Sequence, residues 1–184
     1  MRRSLILHAF ALASLAVLQS CRPDYTAESN AVGSMLGVLT KVEETSNGID
    51  PRLVRQYARD VKEKCEKIQS EMTDTVDLQD ARILIDFCAL NGHFRNCLQR
   101  KEMIDAELKA TRNQLFNLQT DLKEKSTDRD SVTSFVKSEF QYVEGLDEGI
   151  ERVVLELNGC FETYAELKDD IDRLIISLPV RNRE

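Results

Sequence analysis

Residues 83–122 read ILIDFCALNGHFRNCLQRKEMIDAELKATRNQLFNLQTDL, and the order of apolar residues in them decides the fold. Ile83, Phe87, Leu90, Phe94, Cys97, Lys101, Ile104, Leu108, Thr111, Leu115, Leu118 and Leu122 follow one another at alternating steps of four and three. That spacing averages half a heptad, so the stripe stays in line with a partner helix along its whole length, as in a coiled-coil seam. A second stripe, Ala81, Leu84, Ile85 and Cys88, flanks only the first half. A helix touching several neighbours needs a wide apolar face and one touching a single neighbour needs a narrow one. The helix is therefore expected to be covered on two sides early and on one side late. Asn91-Gly92 is a place for a break, but the seam keeps its phase across it, which predicts one helix from near Asp77 to about Lys125.

Working outward, Ser126–Asp130 reads as a turn, with Thr127 and Asp130 spaced like a capping box. A return helix then runs to about Ser177 and stops before Pro179. Its seam is Leu146, Ile150, Val153, Leu157, Cys160, Tyr164, Leu167, Ile171, Leu174 and Leu178; Val132 and Phe135 fit upstream and Glu139 does not. Toward the N-terminus a helix over about 26–46 carries Val32, Met35, Leu39 and Val42, and one over 51–72 carries Val54, Ala58, Val61, Cys65, Ile68 and Met72. Asn47-Gly48 breaks the first, and Asp50-Pro51 starts the second with an acidic N-cap and Pro at the first helical position. Gly33 and Gly37 have the small-residue spacing of a close helix crossing. The expected class is all-α: an elongated three- or four-helix bundle with a long antiparallel coiled-coil hairpin.

The cysteines test the register. Four of them, Cys65, Cys88, Cys97 and Cys160, lie in the helical body, which suggests two disulfides if the chain is exported. Partners in an antiparallel pair lie equally far from the turn, so their midpoint falls inside it. The midpoint of 65 and 88 is 76.5, and that of 97 and 160 is 128.5, each in an expected turn. The other pairings centre inside the long helix. Cys65–Cys88 and Cys97–Cys160 are thus predicted, with four buried thiols as the alternative. The same register sets Leu90 against Leu167, Ile104 against Val153 and Leu122 against Phe135.

The first 21 residues carry an address. Arg2 and Arg3 precede an apolar run over 4–18, too short to span a bilayer, which needs roughly 20 residues, and long enough for a leader. Leu18-Gln19-Ser20-Cys21 closes it and resembles the lipobox of bacterial lipoproteins, in which the cysteine is acylated and becomes the new N-terminus. Gln19 is larger than the residue usual at its place; ordinary cleavage near Ser20 is the alternative. The resemblance implies a signal peptide over 1–20, palmitate or a similar acyl chain on Cys21, and a helical domain over 21–184 held at the bacterial envelope. By analogy with lipoprotein sorting, Arg22 favours the outer membrane, in the envelope that includes the periplasm.

The body splits on this reading into base helices (about 26–46, 51–72, 77–100 and 157–178) and a bare two-helix coiled-coil arm (about 101–156). The chain start, the turn before Asp77 and the C-terminus are expected to share the base end, placing the base at the membrane and the Ser126–Asp130 tip away from it.

Reactive constellations do not stand out. The chain has 25 Lys and Arg against 32 Asp and Glu, and no basic cluster, which argues against nucleic acid as a partner. His93 is a lone helical histidine, and Glu43-Glu44 and Asp169-Asp170 are adjacent carboxylates that face different ways on a helix. No cysteine pair has zinc spacing, and no phosphate loop or nucleophile elbow occurs. No catalytic residue, metal or cofactor is expected. Lys101 and Thr111 interrupt the seam and read as edge residues, snorkelling at the rim, with register specification or a partner contact as the alternative. The leading expectation is a non-enzymatic, lipid-anchored helical scaffold or adaptor that engages other envelope proteins, compatible with homodimerisation through the arm. Small lipoproteins of multi-protein envelope assemblies, such as secretion systems, are similar in these coarse respects. The alternative is a soluble-ligand module with a pocket near Tyr57, Phe87, Phe161 and Tyr164.

Overall fold

The computed structural model describes residues 24–72, 77–124 and 128–178. Four helices account for them: α1 Thr26–Asn47, α2 Pro51–Glu71, α3 Leu78–Glu124 and α4 Arg129–Ser177. The fold is an all-α helical bundle. Each start has a carboxylate. Asp24 Oδ1 accepts from the Thr26 N–H, Asp50 from Arg52, and Asp77 from both Gln79 and Asp80. At the start of α4 the cap is Asp128, which accepts from the Ser131 N–H at 3.2 Å, one residue beyond the expected Thr127. Thr127 itself lies outside the described residues.

The long seam folds as its period requires. Phe87, Leu90, Phe94, Cys97, Lys101, Leu108, Thr111, Leu115, Leu118 and Leu122 are all buried on α3, and the helix runs through Asn91-Gly92 unbroken. Asn91 Nδ2 donates to the Ala58 carbonyl of α2 at 2.6 Å, so its amide finds a partner in a neighbouring helix instead of ending its own. Ile85 departs from the second stripe: it is 68% exposed, while Leu84 packs against the core.

On α4 the buried positions run Val132, Val143, Leu146, Ile150, Val153, Leu157, Cys160 and Ile171. Val136, packed on the core, takes the place expected for Phe135, whose ring is 40% exposed. The seam therefore passes through Glu139. The sequence expectation treated that residue as an interruption, whereas it occupies the heptad place between Val132 and Leu146.

The largest departure concerns α1. It does not cover the base. Tyr25, Val32, Met35 and Leu39 form one core cluster with Leu115, Leu118, Leu122, Val132, Val143 and Leu146, the upper half of the hairpin. Ion pairs then descend the rod: Arg112 to Glu43 at 2.6 Å, and Lys41 to Asp147 and Glu151 at 3.2 and 3.0 Å. After the bend at Gly48–Asp50, α2 continues in the same direction. Tyr164 Oη donates to Asp60 at 2.6 Å, Lys64 pairs with Asp172 at 2.8 Å, and Cys65 meets Cys88. Laid end to end, α1 and α2 cover the whole hairpin, antiparallel to α3 and parallel to α4. The molecule is a rod three helices thick and, at 1.5 Å per residue over α3, about 70 Å long.

Two expectations fall with this. The segment 101–156 is not a bare arm, and the start of α1 does not share an end with the α2–α3 connection. Asp24 and Tyr25 line a cavity with Leu122 and Lys123, at the α3–α4 turn. The physical reason is the short link: a three-residue bend permits reversal or continuation equally well, and only the match between the α1 stripe and the upper seam selects continuation. Gly33 and Gly37 play no part in close packing, since a Cβ on either would meet nothing within 4 Å.

Candidate functional site

The chemistry-bearing side chains lie in four places along the rod. At the end holding the α2–α3 connection, Cys65 and Cys88 form a disulfide with Cα atoms 5.9 Å apart. Beside it the predicted ligand aromatics are packed against one another. Tyr57 stands edge-on to Phe161 and Tyr164, with centroids 5.0 and 4.7 Å apart, and Phe87 lies 5.6 Å from Tyr164. They form a core, not a pocket. Burial pushes the Tyr164 hydroxyl well above its ordinary range, and its hydrogen bond to Asp60 adds to the shift.

The second expected disulfide is absent from the structure: Cys97 and Cys160 are both buried thiols. The pairing predicted from register is not made, although both thiols lie in the same core cluster. Cys97 Sγ lies 3.5 Å from Arg100 Nη2 and 3.9 Å from Glu156 Oε2, under the Arg100–Glu156 ion pair that bridges α3 and α4. Desolvation raises the Cys160 thiol to about 11, helped by the nearby Cys97 and Glu156, so it holds its proton at neutral pH. Thiols that hold their protons are poor nucleophiles. His93 lines an open cleft of about 700 Å³ with Glu156, Cys160 and Glu166. Among the described residues, no group of three or more His, Cys, Asp or Glu is placed to hold a metal ion.

Mid-rod, Lys101 and Thr111 are not edge residues: they are 7% and 1% exposed. The Lys101 ammonium reaches Asp105 at 2.7 Å, and the Ser46 hydroxyl, in the last turn of α1, donates to the same carboxylate. The lysine thus lies near the C-terminal end of α1, where a positive charge is favoured. An apolar cavity of about 350 Å³ opens at the α1–α2 bend, lined by Ile49, Leu53, Val54, Val154, Leu157 and Phe161 among others. Of the aromatics expected to form a pocket, it uses only Phe161. The signal for this cavity is the bend, which the sequence marks as Asn47-Gly48 without showing what it packs against.

Toward the α3–α4 turn, Glu139 sits partly buried in the seam with its Oε2 unpartnered, and desolvation raises its carboxyl above the ordinary value. The native state therefore holds this proton more tightly than the unfolded chain does. Stability is greatest below the unfolded pKa and falls as pH rises through the window up to the folded value. Glu139→Gln is expected to raise stability at pH 7 by roughly 1 kcal/mol, a low value because the group is partly solvated, and to leave it little changed at pH 4. Urea midpoints at both pH values check this, and equal gains at the two would exclude a role for the charge.

Cys21 lies outside the described residues. The first described residues, Asp24 and Tyr25, line a cavity with Leu122 and Lys123 at the α3–α4 end. In comparison with known proteins, the chain matches no family model, no curated protein and no solved structure.

Proposed function

We propose that the chain is a lipid-anchored envelope protein that acts as a helical scaffold or adaptor for other proteins, standing on the membrane by its α3–α4 end. The observation that carries this reading is the seat of Tyr25 against the Leu122 end of the rod. Cys21 is four residues before Tyr25 in sequence, and four residues of extended chain span at most about 14 Å, so an acyl group on it would be tethered to the α3–α4 end. The disulfide-bonded end then projects on the order of 60–70 Å away. This inverts the orientation expected from sequence. No helix among the described residues is long and apolar enough to cross a membrane, so in this reading the lipid supplies the attachment. Acyl chains contribute about 0.8 kcal/mol per buried methylene, and stable anchoring takes more than one chain.

The expected result is that labelled palmitate enters the wild type and not Cys21→Ser, and that this variant moves from the membrane fraction to the soluble one. A fluorophore at position 131 should be quenched by headgroup-attached quencher, and one at position 82 should not. An unchanged membrane fraction in Cys21→Ser refutes the anchor; equal quenching at the two positions refutes the orientation. A second reading, a site for a small apolar ligand, is favoured by the bend cavity, whose volume falls at the lower edge of the usual ligand range.

A further inference from the structure

Between the bend that starts α2 and the middle of α4 the rod leaves a wedge of space. Farther along, α2 is tied to α4 by Tyr164–Asp60 and Lys64–Asp172 and to α3 by the Cys65–Cys88 bond. The wedge itself is the single cavity of about 350 Å³ at the bend. Val54 and Leu157 close its floor and are already buried. The surface that an occupant would newly cover belongs to Ile49, Leu53, Val154 and Phe161, which are partly exposed, Leu53 most of all at 45%.

The walls are in place beforehand. The Gly48 and Ile49 N–H groups donate to the Thr45 and Ser46 carbonyls at 3.2 and 3.1 Å, and the Asp50 carboxylate caps α2 through the Arg52 N–H at 2.8 Å. Phe161 is held by Tyr57 and Phe94, with centroids 5.0 and 5.3 Å away. A site formed before its ligand arrives loses little binding energy to ordering.

The lining also selects by charge. No lysine, arginine or histidine lines the cavity, and one carboxylate, Asp50, does. An anion would leave water there with no cation to receive it, which is costly. A cation would find Asp50 already engaged by the Arg52 N–H, with the Arg52 guanidinium 3.7 Å away. Arg52 is itself 92% exposed and is not part of the lining. Thr45 and Asn158 supply neutral groups that can donate or accept a hydrogen bond.

We propose that the bend cavity binds a neutral, largely apolar small molecule with one hydrogen-bonding group, its body against Leu53, Val154 and Phe161 and its polar group toward Asn158 or Thr45. The inference rests on the small-ligand reading of this cavity and names the ligand's chemistry; it does not depend on the lipid anchor.

The probe is N-phenyl-naphthylamine, neutral with one N–H, titrated by fluorescence into the purified full chain. Anilinonaphthalene sulfonate has the same ring systems and adds a fixed negative charge. The neutral probe should saturate and bind about tenfold or more tighter than the sulfonate. Asn158→Trp fills the cavity from an exposed position and should weaken the neutral probe about tenfold or more. Leu53→Trp fills it from α2 if that variant fails to fold. Ile176→Trp, 82% exposed near the end of α4 and outside the cavity, should leave binding unchanged. Asp50→Asn keeps a good N-cap while removing the charge, and should narrow the gap between the two probes. No saturable binding of the neutral probe, or binding unchanged by the tryptophan variants, overturns the site and the small-ligand reading with it. Binding at the bend in which the sulfonate equals or exceeds the neutral probe overturns the ligand class proposed here and spares that reading.

Discussion

Replacing Phe94 by alanine is expected to lower the free energy of unfolding by about 3–5 kcal/mol, and the melting temperature by on the order of 10 °C. The ring is fully buried on α3 and touches one aromatic from each neighbouring helix: Tyr57 of α2, with centroids 6.0 Å apart, and Phe161 of α4, at 5.3 Å. Those partners are themselves held, Tyr57 by Tyr164 and both helices by ion pairs farther along the rod. The hole left by truncation therefore has little freedom to close, which is what pushes such losses toward the top of their range. Phe94→Leu, which keeps most of the volume, should lose about 1–1.5 kcal/mol. Urea unfolding followed by far-ultraviolet circular dichroism measures both. A loss under about 1 kcal/mol for Phe94→Ala would mean that the three helices do not converge there.

The second large effect is at the disulfide. Opening the Cys65–Cys88 link, by reduction or as Cys65→Ser with Cys88→Ser, is expected to remove about 3 kcal/mol, the chain-entropy value for a loop of this length (sequence separation 23). The bond lies where the rod has least else to hold it. α2 ends at Glu71, and Ile68 is the last fully buried side chain on it. Without the cross-link the last turns of α2 should exchange amide protons first, while the Tyr25–Leu122 end stays protected. Alkylation of the unfolded, unreduced chain should label Cys97 and Cys160 and spare Cys65 and Cys88. A Cys97–Cys160 link found by peptide mapping would instead restore the pairing expected from register.

Much of the fold is legible in the residues because heptad spacing is a local property that survives into the tertiary structure. The ends of all four helices fall within one or two residues of where Asp50-Pro51, Asp77, Ser126–Asp130 and Pro179 place them. The α3 seam is buried almost residue for residue. The legible part stops where side chains are asked to do something unusual. Lys101 and Thr111 looked like surface positions because their types are ordinarily exposed; Lys101 is buried because Asp105 and the end of α1 are waiting for its ammonium. Phe135 and Val136 are both apolar neighbours, and only the phase inherited from Leu146 through Val143 and Glu139 decides which one packs. Counting residues about a turn puts Cys97 and Cys160 at matching heights but does not decide whether their sulfurs bond, which needs specific geometry.

By itself the sequence determined the secondary structure, the continuity of α3 through Asn91-Gly92 and the antiparallel register of the hairpin, and it gave two cysteine pairs of which the structure forms only Cys65–Cys88. Each follows from periodicity or from counting residues about a turn, operations that need no knowledge of distant contacts. Tertiary structure alone decided that α1 lies along the upper hairpin and that Asp24 and Tyr25, which lead into it, sit beside Leu122 and Lys123. A three-residue bend has no preferred direction of its own. The direction is set by which of two apolar surfaces, some 30 Å apart along the hairpin, the α1 stripe fits better.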